Sequence, residues 1–308
     1  ALNFTPFRAV VDRSWQVTSF SRLTAGLHQE AFIADHDRTP DQENQEGAGG
    51  ETAGPTIFDF PKGAGPGTFL HHLFEHLDFG AFRAGGDQEV AGWLAAQLGQ
   101  FGFAGQWHEP VRRMLHEVVS VQLPGQTFCL ADLGPEARLN ELEFHLPLAR
   151  SRAPQLVKLF GRHDHGGGAA LIPQLERLDY GLVKGFLKGF VDLVFCHQGR
   201  YYIIDWKSNY LGPQSSDYGP AQLLDAMVAA NYSLQYHLYT VALHRYLASR
   251  LDDYAYQHHF GGVFYIFLRG VRRGSESGIF FDRPEERLIA DLADLLVQAP
   301  GQHEGGPS

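Results

Sequence analysis

Cysteine is nearly absent. Two of 308 residues, Cys129 and Cys196, carry thiols, and they stand far apart in apolar stretches. That count excludes a disulfide framework and any four-thiolate zinc or iron–sulfur site, and it fits a reducing cytosol. Long apolar runs are missing too. No stretch of about 18 apolar residues exists, so nothing in the sequence suits a bilayer-spanning helix, and no membrane role is expected. The opening residues, ALNFTPFRAV, lack both the basic and the apolar region of a signal peptide. They also lack an initiator Met, which suggests a processed chain or a fragment of a longer one. The Walker pattern Gly-x-x-x-x-Gly-Lys-Ser/Thr, the Gly-x-Ser-x-Gly elbow and the His-Glu-x-x-His zinc motif do not occur, and no heptad pattern persists. Positive charge is scarce: 25 Lys and Arg stand against 35 Asp and Glu, a net charge of −10. Free-standing DNA-binding proteins are usually basic, because phosphate neutralisation supplies most of their affinity. If DNA is the substrate, a partner or neighbouring domain must deliver it.

Apolar residues are plentiful, at 44% with 13% aromatic, enough for one large domain or two small ones. Ser14–Ala25 predicts a short strand or turn entering a helix, with Ser19 or Ser21 as its cap. From Asp35 to Gly67 acidic residues, Gly and Pro accumulate and periodicity is lost. That composition predicts a solvated mobile linker, or alternatively an acidic mimic that competes with DNA. Phe69, Leu70, Leu73, Phe74 and Leu77 then recur at helical spacing, and residues 87–123 predict two or three helices. Leu142, Phe144 and Leu146 alternate with Glu141, Glu143 and His145, the mark of a half-buried strand. His163 to Gly168 has the composition of a loop tip. GFLKGFVDLVFC and YYIIDWK flank a Gly-containing turn and predict a hairpin. A long amphipathic helix is expected over roughly Ala221 to Arg250, then a buried strand over Gly262–Leu268. The order predicts an α/β fold with a central mixed sheet. The expected organisation is an entry segment at 1–34, a flexible acidic loop at 35–66, a folded domain at 67–300 and a disordered tail at 301–308.

The hairpin carries the chemistry. With its turn centred on Gln198-Gly199, paired residues sum to 397, which places Asp192 opposite Asp205. Cross-strand Cβ atoms lie about 5 Å apart, and Lys207, two residues on, shares the face of Asp205. Two facing carboxylates on an apolar hairpin repel unless they share a proton or bind a cation. A hard divalent cation takes oxygen ligands. The same spacing also suits a plain ion pair between Lys207 and one aspartate. His71 and Glu75 form an i, i+4 pair on one helix face; His72 and His76 have equal spacing, so the sequence does not choose between them. Glu141 and Glu143 offer a further carboxylate. Gln235 and Tyr239, another i, i+4 pair, suit contact with a phosphate, bracing of the lysine, or ordinary helix packing.

GPGTFLHHLFEHLDF, FLKGFVDLVFCHQGRYYIIDWKSNYLG, YSLQYHLYTVALHRYL and HHFGGVFYIFLRGV together resemble the C-terminal nuclease domains of the RecB family, within the PD-(D/E)XK nuclease superfamily. The resemblance runs with gaps from about Trp15 to the C-terminal region. It implies a restriction-endonuclease-like core: a central mixed sheet flanked by helices, with an N-terminal helical portion. It implies that His71, Asp192 and Asp205 ligate a metal and that Lys207 is the catalytic lysine, with Glu75, Glu141, Gln235 and Tyr239 in support. Asp205-Trp206-Lys207 stands where the family has Asp-Tyr-Lys. Glu141 aligns better than Glu143 with the family's strand glutamate, and His72 and His76 have no counterpart. Mg²⁺ is the implied ion, although a histidine ligand also suits Mn²⁺; no iron–sulfur cluster is expected. Implied partners are single-stranded DNA, the RecB helicase domain, RecC and RecD. The implied activity is cleavage of the strands they unwind, in a bacterial cytoplasm. An alternative role, in the same family, is a docking module that loads the RecA recombinase onto single-stranded DNA.

Overall fold

Two runs in the second half of the chain, Arg200–Lys207 and Phe260–Phe267, are buried along almost their whole length. Strands with no solvent face must lie inside a sheet that is covered on both sides. The computed structural model describes residues 15–20, 54–83, 86–148, 153–163, 168–177 and 184–297. The expectations for Ser21 as a cap, the acidic run up to residue 53, the loop tip at 164–167 and the tail at 301–308 fall outside these residues. The elements are β1 (Trp15–Ser19), α1 (Ala64–His76), α2 (Asp87–Gln100), α3 (His108–Ser120), β2 (Arg138–Leu148), α4 (Ala153–Phe160) and α5 (Gly168–Arg177). They continue with β3 (Lys184–His197), β4 (Arg200–Lys207), α6 (Pro220–Ala229), α7 (Tyr232–Arg250), the single turn α8 (Tyr256–His259), β5 (Phe260–Phe267), β6 (Ile279–Asp282) and α9 (Glu286–Val297).

The six strands form one mixed sheet in the order β1-β3-β4-β5-β6, with β2 on β3 off that path. β1 with β3 and β4 with β5 are parallel; the other pairs are antiparallel. The sheet divides two cores. Leu193, Phe195, Ile204, Trp206, Phe264 and Ile266 pack under α1–α3. Ile203, Val263, Tyr265 and Phe267 pack under α7 and α9 on the other side. This α/β core with its N-terminal helical part is the expected fold.

Two expectations need correction. The helix predicted over 221–250 is two helices. Asn231, with φ +59, breaks the chain between α6 and α7, and Asn tolerates the left-handed region better than other residues with a Cβ. Nor is α7 amphipathic: ten consecutive residues from Tyr232 to Val241 are buried, so it is an internal helix. The loop predicted to stay mobile through residue 66 is anchored from Ile57 on, after three exposed residues at 54–56. Ile57 and Phe60 are 4% and 0% exposed, and α1 begins at Ala64. The cause is a residue distant in sequence. The Arg269 guanidinium, 1% exposed, donates to the carbonyls of Ile57 (2.8 Å), Phe60 (2.8 Å) and Pro61 (2.7 Å). Composition around the loop carries no sign of that partner.

Candidate active site

β3 is longer than its neighbours on one edge. β2 pairs with it from Gly185 to Phe195. The opposite edge is shared: β1 pairs with Lys184–Lys188, and β4 with Leu193–His197. Residues 189–192 therefore face a window between the end of β1 and the end of β4. A cleft of about 730 Å³ opens there. Asp192 stands at its corner. The hairpin register sums to 397 from His197↔Arg200 to Leu193↔Ile204, as the sequence predicts, and one step further would set Asp192 against Asp205. Instead the ladder ends, and Asp192 Oδ2 accepts the Trp206 N–H at 2.7 Å. The side chain replaces the missing backbone acceptor, so the strands part without stranding a buried N–H. The partner strand breaks at the same level. Asn140↔Leu193 and Leu142↔Val191 pair on either side, while Glu141, with φ +50, does not. Both strands change which core their inward residues enter at this point: Val191 packs on the α7 side and Leu193 on the α1 side.

On β4, Asp205 and Lys207 are 3% and 1% exposed. Lys207 Nζ lies 2.5 Å from Asp205 Oδ2 and 3.9 Å above the Tyr232 ring, with the Tyr265 ring at 5.3 Å. A carboxylate and two aromatic faces thus hold a cation that burial would otherwise expel. Tyr265 pairs with Asp205 in the β4–β5 register. Burial first, and the Asp205 charge second, push its phenol well above the usual range. It stays protonated and donates to Gln235 Oε1 (3.0 Å), while Gln235 Nε2 donates to the Tyr239 hydroxyl (2.9 Å). The i, i+4 pair on α7 is therefore locked in orientation by Tyr265, the register partner of Asp205.

α1 closes the cleft from the other core. Gly67 lets the helix approach: a Cβ there would meet Ser208 Oγ at 2.9 Å. Trp206 stacks on Phe74 with ring centres 4.4 Å apart. Arg269 also donates to the Ser208 carbonyl (3.2 Å), so one guanidinium joins the segment before α1 to the exit of β4. Burial lowers its pKa to about 10, which leaves it charged at neutral pH. These contacts place His71 Nδ1 at 3.6 Å from Asp192 Oδ2.

The structure separates the residues that spacing left equivalent. His71, Glu75, Glu141, Asp192, Asp205, Lys207, Gln235 and Tyr239 all line the one cleft. Glu143 does not; it pairs with His145 (2.8 Å) and Lys188 (3.1 Å). His72 reaches the cleft wall, but its Nε2 meets Gln97 Oε1 at 2.9 Å, and His76 Nδ1 bonds the His72 carbonyl. Glu75 is turned toward His76, 3.7 Å away. Among the described residues, the three ligand-type side chains whose atoms gather within 4.8 Å of one another are His72, Glu75 and His76. That trio is half-exposed, lies on a single helix, and has both rings engaged elsewhere. His71, Asp192 and Asp205 line the cleft together, with their ligand atoms less closely gathered than those of that trio. His71 Nδ1 and Asp192 Oδ2, 3.6 Å apart, are spaced as two ligands of one ion with bonds of about 2.1 Å would be, whereas Asp205 is turned to Lys207. Sequence patterning missed Arg269, Tyr232 and Tyr265. For Tyr265 a signal existed, since a tyrosine in a fully buried strand must find a partner for its hydroxyl.

Comparison with known proteins matches residues 61–300 to the PD-(D/E)XK nuclease superfamily. The chain is 40% identical over 302 residues to the RecBCD enzyme subunit RecB of Escherichia coli K12, covering 96% of this chain and 24% of that protein. It is 31% identical to the subunit of the same name from Haemophilus influenzae, covering 93% and 24%, and 31% identical to that from Mycobacterium tuberculosis H37Rv, covering 94% and 29%. The chain thus spans about a quarter of the length of these relatives.

Proposed function

Because the chain belongs to the PD-(D/E)XK nuclease superfamily, we propose that its cleft hydrolyses DNA phosphodiester bonds with a divalent cation held by His71, Asp192 and Asp205. The observation that supports this most is the window in the sheet. Two acidic side chains and a buried lysine meet where two strands part, and a histidine faces them from the opposite core. When bound, the ion supplies Lewis-acid polarisation of a phosphoryl oxygen and lowers the pKa of a bound water. Lys207, caged by Tyr232 and Tyr265, presents its ammonium where it orients the attacking water or offsets charge on the phosphate. Gln235 and Tyr239 fix the wall behind it. Glu75 and Glu141 stand at the rim, where a carboxylate relays a proton or orders water.

Mg²⁺ is the working ion by availability, with Mn²⁺ an effective substitute at a site containing imidazole. Recognition through the phosphate backbone, which carries no sequence information, makes cleavage independent of sequence. The substrate is single-stranded DNA, cut exonucleolytically or endonucleolytically as a RecB-type helicase portion acting with RecC and RecD unwinds a duplex. This places the activity in double-strand-break repair and degradation of foreign DNA in the bacterial cytoplasm.

Asp205→Ala tests the reading. Mg²⁺-dependent cleavage of a single-stranded oligonucleotide should fall by at least about 1,000-fold, the scale seen when a key transition-state group is removed, while the thermal transition persists. Unchanged cleavage would remove Asp205 from the site.

A further inference from the structure

Beside the window that exposes Asp192, β3 carries an exposed stretch of unusual composition for a solvent face. Phe186, Lys188 and Phe190 alternate with residues directed to the core, so they share one side of the strand. Phe190 and Phe186 are 45% and 38% exposed, and Val17, the register partner of Phe186 on β1, is 57% exposed. Three of the six exposed large apolar side chains among the described residues thus fall on this one patch. The patch is continuous with the cleft, since Val17, Lys188 and Phe190 line it together with Asp192. We propose that Phe190, followed by Lys188 and Phe186, is a stacking track that holds the bases of a single DNA strand as its backbone enters the site. The proposal rests on the nuclease reading and adds how the substrate is held.

Three observations favour a single strand over other occupants. Phe190 precedes Asp192 by two residues, about 7 Å along a strand, so a base on its ring belongs to a nucleotide at or beside the phosphate under attack. Lys188 lies beside that ring, 5.0 Å from its centre, where its ammonium meets the adjacent backbone. Glu143, the register partner of Phe190 on β2, is already engaged by Lys188 at 3.1 Å and by His145 at 2.8 Å. Finally, a chain of net charge −10 draws little affinity from phosphate neutralisation, whereas stacking is independent of charge and of sequence. Bases inside a duplex have both faces occupied, so the same surface selects against double-stranded DNA.

The test is binding of an oligothymidylate carrying one fluorescent base analogue whose emission responds to stacking, with Ca²⁺ in place of Mg²⁺. The parent chain should bind and shift the emission. Phe190→Ala should bind about tenfold more weakly, the size of one lost base–aromatic stack, and lose the shift; Phe190→Trp should keep both. Phe190 is surface-exposed, so its loss spares the core, and Phe186→Ala provides a second variant with a smaller effect of the same sign. Binding of Phe190→Ala within twofold of the parent overturns the track, and so does an equal loss of affinity for single strands and blunt duplex. Such results would mean that this face meets another part of a larger assembly. They leave the nuclease reading intact, because that reading stands or falls on cleavage by Asp205→Ala.

Discussion

Lys207 has its charge set against one carboxylate and two aromatic rings, in a position 1% exposed. Removing a partner from such a pair costs more than the pair contributes, because the survivor remains buried and charged. Lys207→Met keeps the length of the side chain and strips the charge. In metal-free buffer this variant should lose about 3 kcal/mol of stability, since Asp205 is then uncompensated. A divalent cation bound beside Asp205 replaces the lost positive charge. Mn²⁺ should therefore raise the melting temperature of Lys207→Met by more than it raises that of the parent, although cleavage stays abolished. Thermal melts with EDTA and with Mn²⁺ measure both effects. Equal gains for the two proteins would place the ion away from Asp205. At this scale the sequence was informative where chemistry repeats with a fixed period: hairpin symmetry brings Asp192, Asp205 and Lys207 to one end of the hairpin, whereas helix spacing left His71 and His72 equivalent and only the family resemblance chose His71. Arg269 was not legible. Its partners are main-chain carbonyls about 210 residues away in sequence, and a carbonyl has no residue identity to read.

Among the elements, the hairpin shows both what pattern reveals and what it omits. The register summing to 397 is correct because the Gln198-Gly199 turn, with both residues at positive φ, fixes the pairing locally. That the ladder stops one pair short of the two aspartates was hidden, since it depends on Asp192 capturing the Trp206 N–H and on β1 occupying the other half of the same edge. The break between α6 and α7 was hidden for a related reason. Asn is a permissible helix residue, and the apolar spacing continues through it. Here Asn231 is 2% exposed, adopts φ +59, and its carbonyl accepts the N–H of Gln235 in the first turn of α7. That conformation penalises a Cβ by about 1–2 kcal/mol unless the residue is Asn or Gly. Asn231→Ala should lower unfolding free energy by about 1 kcal/mol in a urea titration, while Asn231→Gly should stay within about 0.5 kcal/mol of the parent. A loss for Gly as large as that for Ala would show that the side-chain amide, and not the backbone angle, sets the break.

Across the whole molecule, two cores clamp one sheet, and the side chains lining the cleft are drawn from both: His71 from the α1 side, Gln235 and Tyr239 from the α7 side. The cleft lies at the window between β1 and β4, where side chains from both sides of the sheet meet. The same molecule carries a net charge of −10, and among the described residues the lysine and arginine side chains lining the cleft are Lys188, already shared with Glu143, and Lys207, buried against Asp205. Each phosphate neutralised on a single strand contributes about −0.7 to the slope of log affinity against log salt. With two cations at most, the slope of log kcat/KM for oligonucleotide cleavage should be no steeper than about −1.4. A groove that tracked the backbone through six phosphates would give about −4. Rates measured from 50 to 300 mM KCl at fixed Mg²⁺ distinguish the two. A shallow slope fits a cutting centre to which a strand is delivered by a larger assembly, with stacking on β3 as its own hold. A steep one would mean that cations outside the cleft grip the strand, and the acidic charge would then need a different explanation.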